Sequence, residues 1–558
     1  MSQKILIYQV LPRLFGNTKS LNKVNGSIEE NGSGKFSTFS TKVLDEIKAM
    51  GFTHIWYTGI LEHATRTDYS KYGIRNSHPG TVKGNAGSPY AIRDYYDVSP
   101  DLVDHVESRM SEFEALIGRT HSCGMKAIID LVPNHVAREY FSDAKPAHIA
   151  DFGANDRVLE SFDPNNNFYY VPGHKFEPRF PVVQGDDTYI EFPVKATGND
   201  LFDPSPTVND WYDTVKLNYG IDYCRGRACH FDPKPDTWFK MRNILLYWAG
   251  KGVDGFRCDM VEMVPVEFWH WVIPEIKSKF PHVVFIAEIY NPAEYRNYIN
   301  YGNFDYLYDK VGLYDCLRDI VCGRRPASDI TTCWQRNEGI QDRMLNFLEN
   351  HDEQRIASSF FAGNPFKAIP AMVIAATMNT NPVMIYAGQE LGEPGMYREG
   401  FSGLDGRTSI FDYWSVDSLR TWYNNGNPDG KNLTVDQEKL RQFYTVLLQL
   451  CNNEACICNG RFYDLMYANP QFDSNCQYAC LRCHDHEFIL VAVNFSDKAA
   501  TVHVNIPEEA FNYMDINRSD LKRSTDLLTG NKQELAKFGT DPFWIEMEAL
   551  SGKLLKFG

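Results

Sequence analysis

At 558 residues the chain exceeds one ordinary domain, although a barrel with insertions can take most of such a length. Its formal net charge of −16 argues against nucleic acid or an anionic membrane surface as a partner and suits a neutral one. No run reaches the roughly 18 apolar residues that a spanning helix needs, so the sequence predicts no membrane segment.

The opening residues, Met1 to Pro12, hold an apolar run interrupted by Gln9 and lack a small-residue cleavage site. They read as a first strand over 4–10, not as a signal peptide. A Gly, Asn and Ser-rich loop over 16–40 precedes a helix at Thr41–Met50, and Gly51–Tyr57 is a second strand. After a polar loop over 61–89 come a helix at 107–124 and a third strand at Met125–Val132. Strand and helix in alternation imply a parallel sheet.

Beyond Asn134 and His135 the periodicity dissolves for about 90 residues, with strand-like pieces only at 168–171 and 187–193. A structureless loop of that length is improbable in a compact protein, so the stretch is expected to be an inserted subdomain. The alternation resumes with a helix at 235–250, a strand at 253–258, a helix at 265–280 and a strand at 283–288. Further strands are expected at 304–308, 344–349 and 382–387, and the helix at 437–451 closes the series. Eight strands in one alternating order predict a (β/α)8 TIM barrel. From about residue 459 short alternating strands, such as 488–493 and 501–504, predict a C-terminal antiparallel β domain. The expected division is therefore 1–135 with 226–458 for the barrel, 136–225 for the insertion and 459–558 for the terminal domain.

Thirteen cysteines are scattered along the chain, six of them between Cys451 and Cys483. Their spacings match no standard zinc pattern and no histidine pair accompanies them, so reduced, buried thiols in a cytoplasmic protein are the expectation.

Arg257 and Asp259 lie two apart at the end of the fourth strand, so their side chains point the same way. A cation beside a carboxylate holds it ionised, which is what a covalent nucleophile needs. Glu288 and Asp352 follow at 29 and then 64 residues, at the ends of strands five and seven. Three acids at the C-terminal ends of barrel strands meet on one face, where barrel active sites are built. Glu288 emerges from Phe285-Ile286-Ala287, and burial there is expected to keep it protonated, the state of a general acid. An acid and a nucleophile about 5 Å apart describe retaining glycoside hydrolysis.

Four segments, Asp130-Leu131-Val132-Pro133-Asn134-His135, Gly255-Phe256-Arg257-Cys258-Asp259, Ala287-Glu288 and Glu349-Asn350-His351-Asp352, resemble in order the signature segments of the alpha-amylase family of retaining glycoside hydrolases. The insertion resembles that family's domain B, and the terminal sheet resembles its C-terminal domain, a β-sandwich. The resemblance implies Asp259 as nucleophile, Glu288 as acid/base and Asp352 as a third acid gripping sugar hydroxyls. It implies His135 and His351 as hydroxyl ligands, Arg257 as the residue orienting Asp259, and Tyr90 as a stacking platform under the sugar. Asn134 matches a calcium ligand of the family, so Ca2+ is a candidate ion, with no other cofactor required. The implied partner is a neutral α-glucan or starch-derived oligosaccharide. Met260 after the nucleophile, Glu262-Met263, and Val215-Lys216-Leu217-Asn218-Tyr219 depart from the usual motifs and leave linkage preference open. Two further readings remain: the same chemistry diverted to transfer or isomerisation, and a non-catalytic sugar-binding barrel, which the retention of all three acids disfavours.

Overall fold

The computed structural model describes residues 4–183, 185, 187–395, 397–516, 523–534 and 543–557. Its centre is an eight-stranded parallel sheet: β1 Leu6–Val10, β2 His54–Tyr57, β3 Lys126–Leu131, β4 Gly255–Cys258, β5 Val284–Ala287, β6 Tyr306–Tyr308, β7 Met344–Leu345 and β8 Val383–Tyr386. Neighbours in sequence are neighbours in space, β1 pairs with both β2 and β8, and a parallel bridge between Asn346 and Val383 closes the ring. This is the (β/α)8 barrel.

The period of two along each strand builds two separate cores. Ile7, Trp56, Ile128, Ile286, Tyr308, Leu345 and Met384 fill the barrel interior. The alternate residues, among them Tyr8, Ile55, Ile129, Phe256, Phe285 and Leu307, pack outward against the helices. Those helices include α1 Thr41–Ala49, α2 Arg109–Ser122, α3 Asp236–Gly250, α4 Val266–Lys279, α5 Tyr295–Asn300, α6 Asp315–Val321, α7 Asp329–Arg336, α8 Ile369–Thr377 and α9 Val435–Asn453. The first starts where Ser40 accepts the Val43 amide, and α9 starts in a reciprocal Thr434–Gln437 capping box.

Most expected strands are two or three residues shorter than the pattern suggests, and two differ by more. β7 ends at Leu345 rather than 349: beyond it pairing is a single bridge from Asn346 to Val383, and the chain then turns at Asn350, which accepts the amides of Asp352 and Glu353. In the insertion, Tyr170–Val171 pairs with Val194–Lys195, and no strand forms among the described residues of 187–193. Pro193 has no amide to give to a ladder, and pairing begins just beyond it.

The insertion after β3 is domain B of the barrel. It is fastened to the barrel by an antiparallel pair, His135–Ala137 with Thr214–Lys216, which runs directly on from the end of β3. At the other end of the chain a six-stranded antiparallel sheet and the two-stranded pair Ala500–Val504 with Phe543–Met547 form the C-terminal β-sandwich. In that larger sheet Ala479, Leu481, Phe488 and Leu490 face the sandwich core, whereas Tyr478, Cys480, Ile489 and Val491 join the outer core of the barrel.

Candidate active site

Strand alternation at β4 points Phe256 and Cys258 outward, so Arg257 and Asp259 project into the barrel mouth. Arg257 is 1% exposed. Its guanidinium lies 5.3, 5.5 and 5.6 Å from the rings of Trp56, Tyr90 and Tyr308, which exclude water around it. From there it makes two ion pairs of 2.7 Å, with Asp259 Oδ1 and with Glu288 Oε1. A third carboxylate, Asp130, lies 3.6 Å away.

The surroundings of Glu288 differ from the apolar pocket expected of a lone general acid. The side chain is buried, but it is paired with the Arg257 guanidinium at 2.7 Å, and the Tyr290 hydroxyl and the Met260 amide, each at 2.8 Å, donate to it. The physical reason is the parallel register, which sets Arg257 opposite Ile286 and so delivers the arginine to the next strand's end. Asp259 likewise departs from the expectation of an acid held low by arginine. Burial and the neighbouring charge of Glu288 push its carboxyl well above the usual range, against the pull of Arg257. Asp352 is pushed up to about 7 by burial and by Glu288. The charges of Glu288 and Asp352 both weigh on Asp259, which is the cost of crowding three acids around one arginine.

His351 is fixed from both ring nitrogens. Gln9 Nε2 lies 2.8 Å from Nδ1, while Nε2 meets the Tyr90 hydroxyl at 2.6 Å and Asp352 Oδ2 at 3.0 Å. A Gln amide donates to Nδ1, so the proton of the neutral ring sits on Nε2, where the Tyr90 hydroxyl is its hydrogen-bond partner. Burial, aided by Arg257, keeps this imidazole neutral, with its pKa well below the ordinary value. His135 is also neutral, lowered to about 3 by burial and by Lys216. Tyr90 stacks on His351 with centroids 5.2 Å apart and reaches Asp130 with its hydroxyl.

Asp259, Glu288, Asp352, Tyr90, His135 and His351 all line one cleft of about 490 Å³, with Arg257 beneath it. Lys83, Trp211, Asp213, Tyr290, Arg407 and Phe411 share that lining and escaped the sequence reading. Tyr290 lies two residues beyond Glu288, and the alternation that paired Arg257 with Asp259 would have found it. Lys83, Trp211 and Phe411 sit in loops, where no period marks which side chains turn inward.

Asn134 does not stand as a metal ligand. Its Oδ1 accepts the Lys216 ammonium at 2.6 Å, and its Nδ2 donates to the Gly198 carbonyl at 2.8 Å. The ammonium on that oxygen repels a second cation placed beside it.

The alpha-amylase catalytic-domain family matches residues 9–285 and 321–448. The chain belongs to the alpha-amylase family. Over 516 residues it is 21% identical to alpha-amylase 2 of Dictyoglomus thermophilum, covering 90% of this chain and 71% of that protein. It is 25% identical over 289 residues to an alpha-1,4-glucan:maltose-1-phosphate maltosyltransferase of Arcanobacterium haemolyticum, covering 51% of this chain and 32% of that longer protein. Among solved structures, the alpha-amylase of Geobacillus thermoleovorans in complex with acarbose superposes with a TM-score of 0.64 at 19% identity, over 99% of this chain and 98% of that one. At that identity the superposition speaks for the fold, and the family match speaks for a glycoside hydrolase of the alpha-amylase type.

Proposed function

We propose that Asp259 is the nucleophile and Glu288 the acid/base of a retaining hydrolase acting on neutral α-glucans or starch-derived oligosaccharides. One observation carries the reading: a single buried arginine holds both carboxylates, at 2.7 Å each, on adjacent strand ends in the family's cleft. Turnover needs Asp259 ionised and one proton on Glu288 facing the glycosidic oxygen. Because Arg257 touches both acids, that proton can pass from one to the other without leaving the guanidinium unpaired. Asp259 then attacks the anomeric carbon as Glu288 protonates the departing oxygen, giving a glycosyl-enzyme. Water, deprotonated by Glu288, completes hydrolysis with retention. Asp352, with the Nε2–H of His351 beside it, is placed to grip sugar hydroxyls, and Tyr90 offers a ring face to the sugar.

The likeness to a maltosyltransferase supports a second reading, in which a sugar hydroxyl takes the place of water at the same glycosyl-enzyme. Thirteen free cysteines are in keeping with a reducing, cytoplasmic setting. Proton NMR of the first-formed sugar from a maltooligosaccharide tests the mechanism: the α anomer is expected, and initial release of the β anomer would overturn it. Sizing the same products separates the two readings, since products longer than the substrate mark transfer.

A further inference from the structure

Beside the cleft, domain B and the barrel meet around one buried cation that belongs to the chain itself. Lys216 is 2% exposed. Its ammonium contacts Asn134 Oδ1 at 2.6 Å, Asp200 Oδ1 at 2.6 Å and the Met263 carbonyl at 3.2 Å. The ring of Tyr223 lies 5.6 Å from it. The three oxygens come from three separate segments: the end of β3, the middle of the insertion, and the turn after β4. Gly198 fixes the first of them by taking the Asn134 amide, and Asp200 is held in a left-handed conformation, φ 63°, that brings its carboxylate in. Three convergent oxygens of one carboxylate, one amide and one main-chain carbonyl form the donor set of a hard-cation site, with an ammonium at its centre.

We propose that Lys216 replaces a bound divalent cation as the clasp between domain B and the barrel, so that the catalytic face assembles without calcium. The segments it ties are those that carry the site. Asn134 precedes His135 in the cleft wall, and Met263 closes the turn that begins at Met260, whose amide holds Glu288. A divalent ion could not be added beside the ammonium, because two positive charges within a few ångströms in a buried site repel strongly. Lys216 is therefore a positioning residue: it acts through Asn134 and Met263 and touches no reacting atom.

The test compares thermal midpoints of wild type and Lys216→Ala in EDTA and in millimolar Ca2+, with methylammonium as a second probe. Wild type is expected to unfold at the same temperature in EDTA and in Ca2+. Lys216→Ala leaves an oxygen-lined hole with an unpaired carboxylate, and its midpoint should fall by roughly 5 °C or more. Ca2+ or methylammonium should recover part of that loss in the variant and nothing in wild type. KM for maltooligosaccharides should rise more than kcat falls, and the added cation should lower it again. A variant as stable as wild type overturns the clasp. A variant no more responsive to added cations than wild type, or a wild type that EDTA destabilises as much as the variant, overturns the replacement. If Lys216→Ala does not fold, Lys216→Ser, which also leaves room for an added cation, gives the same comparison.

Discussion

At the scale of single residues, the decisive group is the acid whose oxygens are most heavily solvated by the protein. Tyr290 donates to Glu288 Oε1 across 2.8 Å, beside Arg257. Tyr290→Phe removes one hydrogen bond to a carboxylate and keeps the ring. The expected cost is about 1.5 kcal/mol, or about tenfold in kcat/KM, together with a displaced pH profile. An unchanged profile would show that the hydroxyl is idle in turnover. Glu288→Gln separates acid from nucleophile by leaving-group chemistry. Natural oligosaccharides need protonation of the departing oxygen and should lose several orders of magnitude in rate. Activated aryl or fluoride glycosides should retain their first step, and azide should then accelerate turnover by capturing the glycosyl-enzyme without a base. Equal loss on both substrate classes would move the acid/base to another carboxylate. Asp259→Asn should abolish both, because no normal glycosyl-enzyme can form.

At the scale of elements, the turn after β6 gives a pH test at a carboxyl outside the cleft lining. Asp309 caps the turn Lys310–Tyr314 by accepting the Leu313 amide, and it also accepts Asn337 Nδ2 at 3.1 Å. Burial pushes its carboxyl up to about 6. A carboxyl raised in the fold keeps a proton that the unfolded chain has released, so its contribution is greatest below the unfolded value near 4 and is lost as pH climbs through about 6. Asp309→Asn keeps an oxygen for the Leu313 amide and removes the titration, and the loss of the second acceptor, which faced Asn337, weighs equally at every pH. The midpoint of the variant relative to wild type should therefore be higher at pH 8 than at pH 5, and scanning calorimetry at the two values reads it directly. Elements of this kind show what a sequence yields. The barrel strands were legible because one buried face obliges a period of two, and the long helices because their apolar residues recur with a helical period. Asp259 and Glu288 were legible because they stand directly at strand ends, where the chain position fixes the place in space, whereas Asp352 and both histidines lie further along the chain and were legible from the motifs that carry the family resemblance. Electrostatics was not legible: which carboxylate the arginine serves depends on register between strands, and no single segment carries that. Lys83 and Trp211 come from loops whose inward turns are set by tertiary packing, and the pairing of Lys216 with Asn134 links positions 82 residues apart.

At the scale of the whole molecule, the C-terminal sandwich is fixed to the barrel through buried side chains as well as through apolar contact. Arg482 is 1% exposed and donates to the carbonyls of Met378, Cys456, Ile457 and Gly460, the first of them just beyond the end of α8. Arg482→Met fills the volume and leaves those carbonyls without their donor. A loss of roughly 3 kcal/mol is expected, seen as an earlier denaturant midpoint, with kcat nearly unchanged because the cleft is on the far side of the strands. A loss confined to activity would contradict that placement. The ring of strands has an uneven circumference. β3 and β4 are joined over four register pairs, whereas β7 and β8 meet at the bridge between Asn346 and Val383, held by the Asn346 amide on Pro382 and the Met384 amide on Asn346. A closed cylinder that breathes will part first where the fewest bonds must break at once. In deuterium the amides of Asn346 and Met384 should therefore exchange well before those of Phe256 and Arg257, which marks this seam as the place where the barrel opens on its way to unfolding.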